Sequence, residues 1–586
     1  MISNYNISPE VRIKGKDAGC FAGWDSIVFQ LNNEISKNSN PKKVIAIEYY
    51  QGVNESEIFY SLIQKLNKDA IFNAGEAMLH EAEIRKITFP DVTDDRIFGF
   101  MTRLSIEDFL DPEKVEALRA KIQAVEKGTI LIYGSGAAKV YPDPDLLVYA
   151  DMARWEIQKR MRRNEVSNLG ITNFEESFES QYKRAYFVDW RVCDRLKKEI
   201  MNSWDFILDT NLADHPVMIT ADAFSEAMKQ AVNRPFSVVP YFDAGPWGGQ
   251  WMKETFGLDR SIENYAWCFN CVPEENSLFL RFGENRFETP SINLVFIKPV
   301  ELLGEPVYGR FGDEFPIRFD FLDTIGGGNL SLQVHPLTEY IQEKFGMNYT
   351  QDESYYILEA DDEASVYLGL KKEVDSVQMI SDLKEAQKSN VEFNASAYVE
   401  NWPAEKHDHF LIPGGTIHCS AKGCMVLEIS ATPYIFTFKL WDWGRLGMDG
   451  KPRPININHG IQNIQWDRTE NWVRENLVSR VTELEIGDGW REEKTGLHEL
   501  EFIETRRHWF TKKVHHNTNN GVNVLALVEG SEIIVESPAG LFDPFVVHFA
   551  ETFIVPSTVG EYTIRPYGES EGKECATVKA YVRVNG

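Results

Sequence analysis

Residues 410–430, FLIPGGTIHCSAKGCMVLEIS, are typical of two short strands joined by a tight Pro-Gly-Gly turn. The strand after the turn is predicted to present His418 to the interior. In NLSLQVHPLTEY, residues 329–340, Gln333 and His335 are two apart in a strand and therefore share a face. Glu353 opens a further strand in DESYYILEADDEASVYLGL, residues 352–370. Two histidines, one carboxylate and one amide oxygen form a mixed donor set that suits a catalytic zinc or a similar divalent ion.

A second histidine pair leaves the choice of ligands open. His407 and His409 form an H-x-H in KHDHFLIP, which by spacing alone is a rival metal pair. A lone strand histidine is usually an ordinary core or surface residue. Spacing therefore does not decide between the two pairs.

The pattern of strands, helices and turns along the chain predicts three domains. Residues 1–235 alternate short strands with helical patterns, as in KKVIAIEYY and ESEIFYSLIQKL, which predicts a layered α/β domain. Residues 236–500 have dense turns and short strands, with helical patches near PLTEYIQEKF and SVQMISDLKEAQ. Residues 501–586 are almost entirely short strands, which predicts a sandwich or barrel.

The first domain invites a nucleotide-binding hypothesis. The strand KKVIAIEYY is followed by QGVNESEI, where a phosphate loop would lie, but the lysine of that loop is missing. The turn Gly134-Ser135-Gly136 lacks the third glycine of a dinucleotide fingerprint. The basic helix RWEIQKRMRR, residues 154–163, is predicted to have a solvated face.

Composition excludes several classes of protein. With 61 basic and 89 acidic residues among 586, the net charge of −28 argues against nucleic acid as the main partner. We find no apolar run long enough to span a membrane and no signal-peptide pattern, and the few cysteines suit a reducing compartment. We therefore expect a cytoplasmic protein. Cys268 and Cys271 form a C-x-x-C without a second such pair, so they are interpreted as strand or turn cysteines.

Several ordered blocks resemble the type I phosphomannose isomerases, zinc enzymes of the cupin superfamily that interconvert mannose 6-phosphate and fructose 6-phosphate. The blocks are FDAGPWGGQWMKETFGLD, FGDEFPIRFDFLDT with LSLQVHP, DESYYILEADDEASVYLGLK, PGGTIHCSAKGCMVLEIS and TFKLWDWGR. The resemblance implies a double cupin, or jelly roll, whose second half normally binds no metal. More loosely, the first 235 residues resemble P-loop nucleoside and sugar kinases with an eroded catalytic loop.

The resemblance also implies roles for particular residues and one zinc ion per chain, with a phosphorylated hexose as the substrate. The metal positions are Gln333, His335, Glu353 and His418; the sugar-phosphate contacts are Ser331 and Arg445; the catalytic positions are Glu428, for proton transfer, and Lys439.

Three departures from the family pattern weaken the case for that substrate. Lys439 stands where the family has an arginine, and Gln351 and Asp320 stand where it has lysines. Two alternatives therefore stay open beside the isomerase: a non-catalytic sugar-phosphate sensor and a bifunctional kinase–isomerase.

Overall fold

The computed structural model describes residues 3–584 except 390, 434, 447–452, 454 and 500. The chain forms two compact units. We call Glu10–Gln230 with Ser277–Phe296 the α/β unit, and Met1–Pro9, Ala231–Asn276 and Ile297–Gly586 the β unit. The division into residues 1–235, 236–500 and 501–586 stays a prediction, and residues 277–296 of its second segment lie in the α/β unit.

The elements of the described residues are numbered in chain order. The first strands are β1 Glu10–Arg12, β2 Cys20–Ala22, β3 Lys42–Tyr49, β4 Ala70–Asn73, β5 Gly128–Tyr133, β6 Leu146–Asp151, β7 Phe206–Asp209, β8 Val217–Thr220, β9 Tyr241–Asp243, β10 Trp267–Cys271, β11 Ser277–Phe282, β12 Asn285–Pro290, β13 Ile317–Asp323, β14 Leu332–Val334, β15 Glu353–Ala360 and β16 Ser365–Leu370. The later strands are β17 Val399–Pro403, β18 His409–Ile412, β19 His418–Ser420, β20 Cys424–Ala431, β21 Phe438–Trp441, β22 Thr482–Gly487, β23 Trp490–Gly496, β24 Ile503–Phe510, β25 Val514–Asn517, β26 Asn523–Glu529, β27 Glu532–Glu536, β28 Phe545–His548, β29 Thr552–Val555, β30 Glu561–Pro566 and β31 Cys575–Val582. The helices are α1 Trp24–Lys37, α2 Glu55–Ser61, α3 Glu81–Val92, α4 Pro112–Ala124, α5 Ala137–Val140, α6 Arg154–Arg162, α7 Phe178–Arg184, α8 Trp190–Ile200, α9 Ala221–Val232, α10 Trp251–Thr255, α11 Ile292–Ile297, α12 Pro299–Leu303, α13 Glu305–Phe311, α14 Thr338–Phe345, α15 Ser376–Ser389, α16 Ile457–Gly460 and α17 Glu470–Asn476.

The α/β unit is built on a seven-stranded sheet in the order β2-β8-β7-β6-β3-β5-β4. The five strands from β3 to β7 are parallel, and β8 and β2 continue the sheet antiparallel. The central strands β3 and β5 are largely buried, as expected where helices cover both faces of a parallel sheet. The predicted layered α/β arrangement of this region is confirmed, with strands at KKVIAIEY and GTILIY and a helix at ESEIFYS.

The basic helix α6 differs from the prediction of a solvated face. Arg154 is 2% exposed and Arg160 is 4% exposed. Arg154 pairs with Asp194 at 2.5 Å, and Arg160 donates to the carbonyl oxygens of Gly52 and Thr210 at 3.0 and 2.7 Å. The prediction was wrong for these two residues because the Asp194 carboxylate and two loop carbonyls are buried and need partners. The charge pattern of a helix does not reveal such distant partners.

The β unit begins with a sandwich of two sheets, which we call the first sandwich. Its sheets have the orders β18-β15-β20-β13-β10-β9 and β17-β16-β19-β14-β21. The helical patches predicted near PLTEYIQEKF and SVQMISDLKEAQ are confirmed as α14 and α15. The short strands β14, β19 and β21 lie side by side, which brings residues 329–340 and 410–430 into one sheet.

The end of the chain forms a second sandwich with sheets β22-β23-β24-β31-β26-β29 and β25-β30-β27-β28. Its core comes from both sheets, with Phe510, Leu527 and Phe553 on one and Val514 and Ile564 on the other. The prediction of many short strands in this region is confirmed. None of the helices in the described part of the chain is both long and apolar enough to cross a membrane.

Candidate metal centre

Three potential metal ligands meet in the interior of the first sandwich. His335 directly follows β14, while Glu353 and His418 open β15 and β19. His335 Nε2 is 3.0 Å from Glu353 Oε2, and His418 Nε2 is 2.9 Å from Glu353 Oε1. The three ligand atoms lie within 4.8 Å of one another, and all three side chains are buried. Among the residues that the structure describes, this is the one group of three or more histidine, cysteine or acidic side chains with such spacing.

The backbone fixes which nitrogen of each imidazole faces the centre. His335 Nδ1 donates to the carbonyl oxygen of Phe436 at 3.1 Å, and His418 Nδ1 donates to that of Thr416 at 2.9 Å. A carbonyl oxygen only accepts, so Nδ1 carries the proton and the lone pair of Nε2 points inward. This is the usual arrangement of metal-binding histidines.

The donor set fits a divalent metal such as zinc. Glu353 Oε1 and His335 Nε2 are buried and accept no hydrogen bond from the described residues. Two neutral imidazoles and one carboxylate are typical ligands of a catalytic zinc.

Gln333 lies where a fourth ligand would be. It pairs with His418 across β14 and β19, and its Nε2 is 3.1 Å from His418 Nε2. A half-turn of the amide exchanges nitrogen for oxygen, which gives the oxygen donor that a metal needs. The structure therefore brings together all four predicted metal residues.

A cavity of about 170 Å³ lies between the two sheets beside this cluster. It is lined by Trp247, Trp267, Phe269, Arg318, Asp320, Leu322, Leu330, Ser331, Gln333, Gln351, Glu428, Thr437 and Lys439. Three of the four predicted catalytic and substrate-binding residues, Ser331, Glu428 and Lys439, are in this wall, and Gln333 connects it to the metal cluster.

A buried charge network lies at one end of the cavity. The Arg318 guanidinium donates to Asp320 Oδ2 and to Glu428 Oε1, both at 2.7 Å. Gln351 Nε2 donates to Glu353 Oε2 at 2.8 Å and lies 3.4 Å from Glu428 Oε1. Burial raises the pKa of Glu428 well above its ordinary value, although Arg318 acts in the opposite direction. Burial likewise raises the pKa of Asp320, to about 6.

The other end carries a cluster of cations around one carboxylate. Asp442 pairs with Arg445 and with Arg453, the latter at 2.9 Å, and accepts from Ser331 Oγ at 2.8 Å. Lys439 lies close enough to Arg453 and Arg445 for their positive charges to repel its ammonium group. Burial, together with these two arginines, lowers the pKa of Lys439 to about 8. The predicted phosphate contacts Ser331 and Arg445 thus meet on Asp442.

The rival candidates lie elsewhere. His409 Nε2 contacts Ser354 Oγ at 2.8 Å, and His407 Nδ1 contacts the Tyr356 hydroxyl at 2.9 Å. Cys268 and Cys271 are free, buried cysteines on β10, in agreement with their interpretation as strand residues. None of these four belongs to the metal cluster formed within the described residues.

The loop after β3, where a phosphate loop was considered, is filled by the unit's own side chains. A Cβ at Gly52 would lie 2.7 Å from Ile157 Cγ1. Gln51 is buried, donates to the Ser167 carbonyl oxygen at 2.8 Å and accepts from Trp190 Nε1 at 3.0 Å. These contacts give the loop a structural role.

Sequence reasoning missed Arg318 and Arg453. The signal for Arg318 was present, because the period-2 pattern of FPIRFDFL places it on the same face as Asp320. Arg453 follows the last predicted block, and only the fold carries it back to Asp442.

Different known proteins match the N-terminal and the C-terminal parts of the chain. Residues 23–233 match a family described as "Domain of unknown function (DUF8485)". Over 235 residues, 40% of this chain and 69% of the relative, the chain is 25% identical to a protein of Bacillus subtilis named "Probable mannose-6-phosphate isomerase GmuF". Mannose-6-phosphate isomerase ManA of the same species is 26% identical over 233 residues, 39% of this chain and 68% of the relative. The C-terminal part of the chain is homologous to mannose-6-phosphate isomerases.

Among solved structures, the mannose 6-phosphate isomerase from Bacillus subtilis is similar with a TM-score of 0.47 and 17% identity, over 59% of this chain and 99% of that one. The resemblance of the first 235 residues to P-loop kinases stays a prediction.

Proposed function

We propose that the β unit is a zinc-dependent isomerase that interconverts mannose 6-phosphate and fructose 6-phosphate in the cytoplasm. The observation that carries this proposal is the buried cluster of His335, Glu353 and His418 beside a small polar cavity. The homologous mannose-6-phosphate isomerases support the choice of reaction.

The charges at one end of the cavity support a phosphorylated substrate. Two arginines, Arg445 and Arg453, pair with the single carboxylate of Asp442, which leaves a local excess of one positive charge for the phosphate. A phosphate monoester carries close to two negative charges at neutral pH. Arginines also bind phosphate oxygens in pairs, and the Ser331 hydroxyl adds another donor.

The other end supports proton transfer between C1 and C2 of the sugar. In this mechanism Glu428 takes a proton from C2 and returns it to C1 through an enediol, while the hydroxyl proton passes from the C2 oxygen to the C1 oxygen. The reverse transfers convert the ketose to the aldose. Lys439 stabilises the negative charge that develops on the enediol oxygens. A zinc ion held by Gln333, His335, Glu353 and His418 would polarise the carbonyl and hydroxyl oxygens. Phosphate binding far from the reacting carbons orients the sugar.

A coupled isomerase assay on the full chain, reconstituted with zinc, tests the proposal. The panel is mannose 6-phosphate, glucose 6-phosphate and unphosphorylated mannose. We expect turnover of mannose 6-phosphate alone, lost on chelation and restored by zinc. A protein that binds one zinc per chain and turns over none of the three overturns the proposal.

The departures at Gln351 and Asp320 favour a second candidate, a non-catalytic sugar-phosphate sensor. Neither residue supplies the cation that the resemblance places there, and both lie in the cavity wall. A sensor would bind mannose 6-phosphate, as measured by calorimetry, without converting it.

A further inference from the structure

Arg318 is a buried arginine in the cavity wall to which neither the sequence nor the resemblance gave a role. It lies on β13 and is 5% exposed. Its strand neighbours pair with β20, so that Arg318 lies opposite Ser430 and Asp320 lies opposite Glu428. All four residues alternate onto the same face of the sheet, toward the cavity.

The hydrogen bonds that Glu428 accepts from the described residues all fall on one of its two carboxylate oxygens. Its Oε1 accepts from Arg318 at 2.7 Å and from Ser430 Oγ at 3.1 Å, and it lies 3.4 Å from Gln351 Nε2. Its Oε2 accepts no hydrogen bond from any residue in the described ranges. One oxygen of the carboxylate is therefore held and the other is left for a substrate.

Asp320 holds the arginine from its other side. The Arg318 Nε donates to Asp320 Oδ2 at 2.7 Å, and its Nη2 lies 2.5 Å from the same oxygen. Because a guanidinium is planar and has several donors in a fixed geometry, it can bridge two carboxylates, whereas a lysine ammonium binds them as a point charge.

Stability gives little reason for such a network. Desolvating two carboxylates and an arginine costs several kcal/mol per ion, and apolar residues of similar volume often stabilise a core equally well. The neighbouring positions Phe319 and Phe321 on the opposite face of β13 are apolar. A charged network only on the cavity face suggests a role in the cavity.

We propose that Arg318 is a positioning residue of the isomerase, which holds the carboxylate of Glu428 with one oxygen fixed and the other directed to the substrate, while Asp320 fixes Arg318. The inference rests on the proposed function. It also accounts for Asp320, which stands where the resemblance implies a lysine. Arg318, two residues earlier on the same face of β13, supplies the cation instead.

The test is a kinetic cycle on the zinc-loaded full chain, with Arg318→Leu, Glu428→Gln and the double variant. Arg318→Leu should lower kcat about 100-fold, within the usual range for general acid–base catalysis, and leave KM within about threefold. Zinc content should stay at one per chain. In the Glu428→Gln background, Arg318→Leu should cause almost no further loss, because residues that act as a unit are not additive. Arg318→Lys should recover part of kcat.

The matched control is Arg507→Leu. Arg507 is also buried and pairs with Glu493 at 2.7 Å, but it lies outside the cavity wall. Its replacement should lower thermal stability and leave kcat unchanged.

The outcomes separate the two proposals. An active wild-type protein whose Arg318→Leu variant keeps kcat within threefold, or whose double variant loses activity additively, overturns the role of Arg318 alone. A zinc-loaded wild-type protein without turnover overturns the role of Arg318 together with the proposed function.

Discussion

Lys439→Met should abolish isomerase activity and yet make the metal-free protein more stable. Burial, with Arg453 and Arg445 nearby, lowers the pKa of Lys439 from 10.5 to about 8, even though Asp442 attracts it. A pKa below the ordinary value means that the folded protein disfavours the charged form. The difference of roughly 2.5 units corresponds to about 3 kcal/mol, or about 2–3 kcal/mol after solvent screening at this partly exposed side chain.

The pH dependence has a defined sign. At pH 7 the lysine is charged in both the folded and the unfolded protein, so the folded state carries the full penalty. As the pH rises from about 8 toward 10.5, the folded protein loses the proton before the unfolded chain does, and the penalty shrinks. The stabilisation by Lys439→Met should therefore be largest below pH 8 and fall to about 1 kcal/mol near pH 9.5.

Lys579 provides a matched control. It lies on β31 in the second sandwich, and burial lowers its pKa to about 8 as well. Lys579→Met should stabilise the protein to a similar extent but leave turnover unchanged, because Lys579 lies outside the cavity wall.

Scanning calorimetry in EDTA measures the stability of both variants. The relevant unfolding transition is the one that zinc shifts in the wild-type protein. The coupled assay measures the turnover of both variants. The reasoning is refuted if Lys439→Met is less stable than wild type at pH 7, or if Lys579→Met loses activity.

Three further predictions test the metal centre, the cation cluster and the loop after β3. His418→Ala should lose zinc on dialysis, while His409→Ala keeps it, as measured by atomic emission; equal zinc contents would contradict the ligand assignment. Arg453→Leu should raise KM for mannose 6-phosphate roughly 10- to 100-fold with kcat little changed, because a charge-assisted hydrogen bond contributes about 1.5–3 kcal/mol; an unchanged KM in the coupled assay would remove Arg453 from phosphate binding. Gly52→Ala should destabilise the α/β unit by about 2–4 kcal/mol, because Gly52 has φ +94° and lies against Ile157, whereas Gly15→Ala, with φ +77° and open space, should cost about 1 kcal/mol; chemical unfolding that shows equal costs would refute the packing argument.

Local sequence patterns predicted many of the strands and helices of the fold. Period-2 alternation and turn residues located β14, β15 and β19, and Glu353 and His418 open their strands as predicted. These signals are local, since side chains alternate along a strand and a Pro-Gly-Gly turn needs no distant partner. The helix α6 shows the limit, because burial of Arg154 and Arg160 depends on partners far along the chain.

The candidate site, too, was determined partly by the sequence and partly by the tertiary structure. The sequence by itself determined which residue types were available as ligands and which strands would carry them. Spacing alone left His407 and His409 as rivals, and the family resemblance favoured His335 and His418. The tertiary structure brings His335 and His418 together with Glu353, because a metal cluster depends on which side chains meet across two sheets. It also decided that Arg318 holds Glu428, and that Arg453 reaches Asp442. Charge interactions act through space and fall off with distance, so residues remote in sequence become partners only when the sheets bring them together.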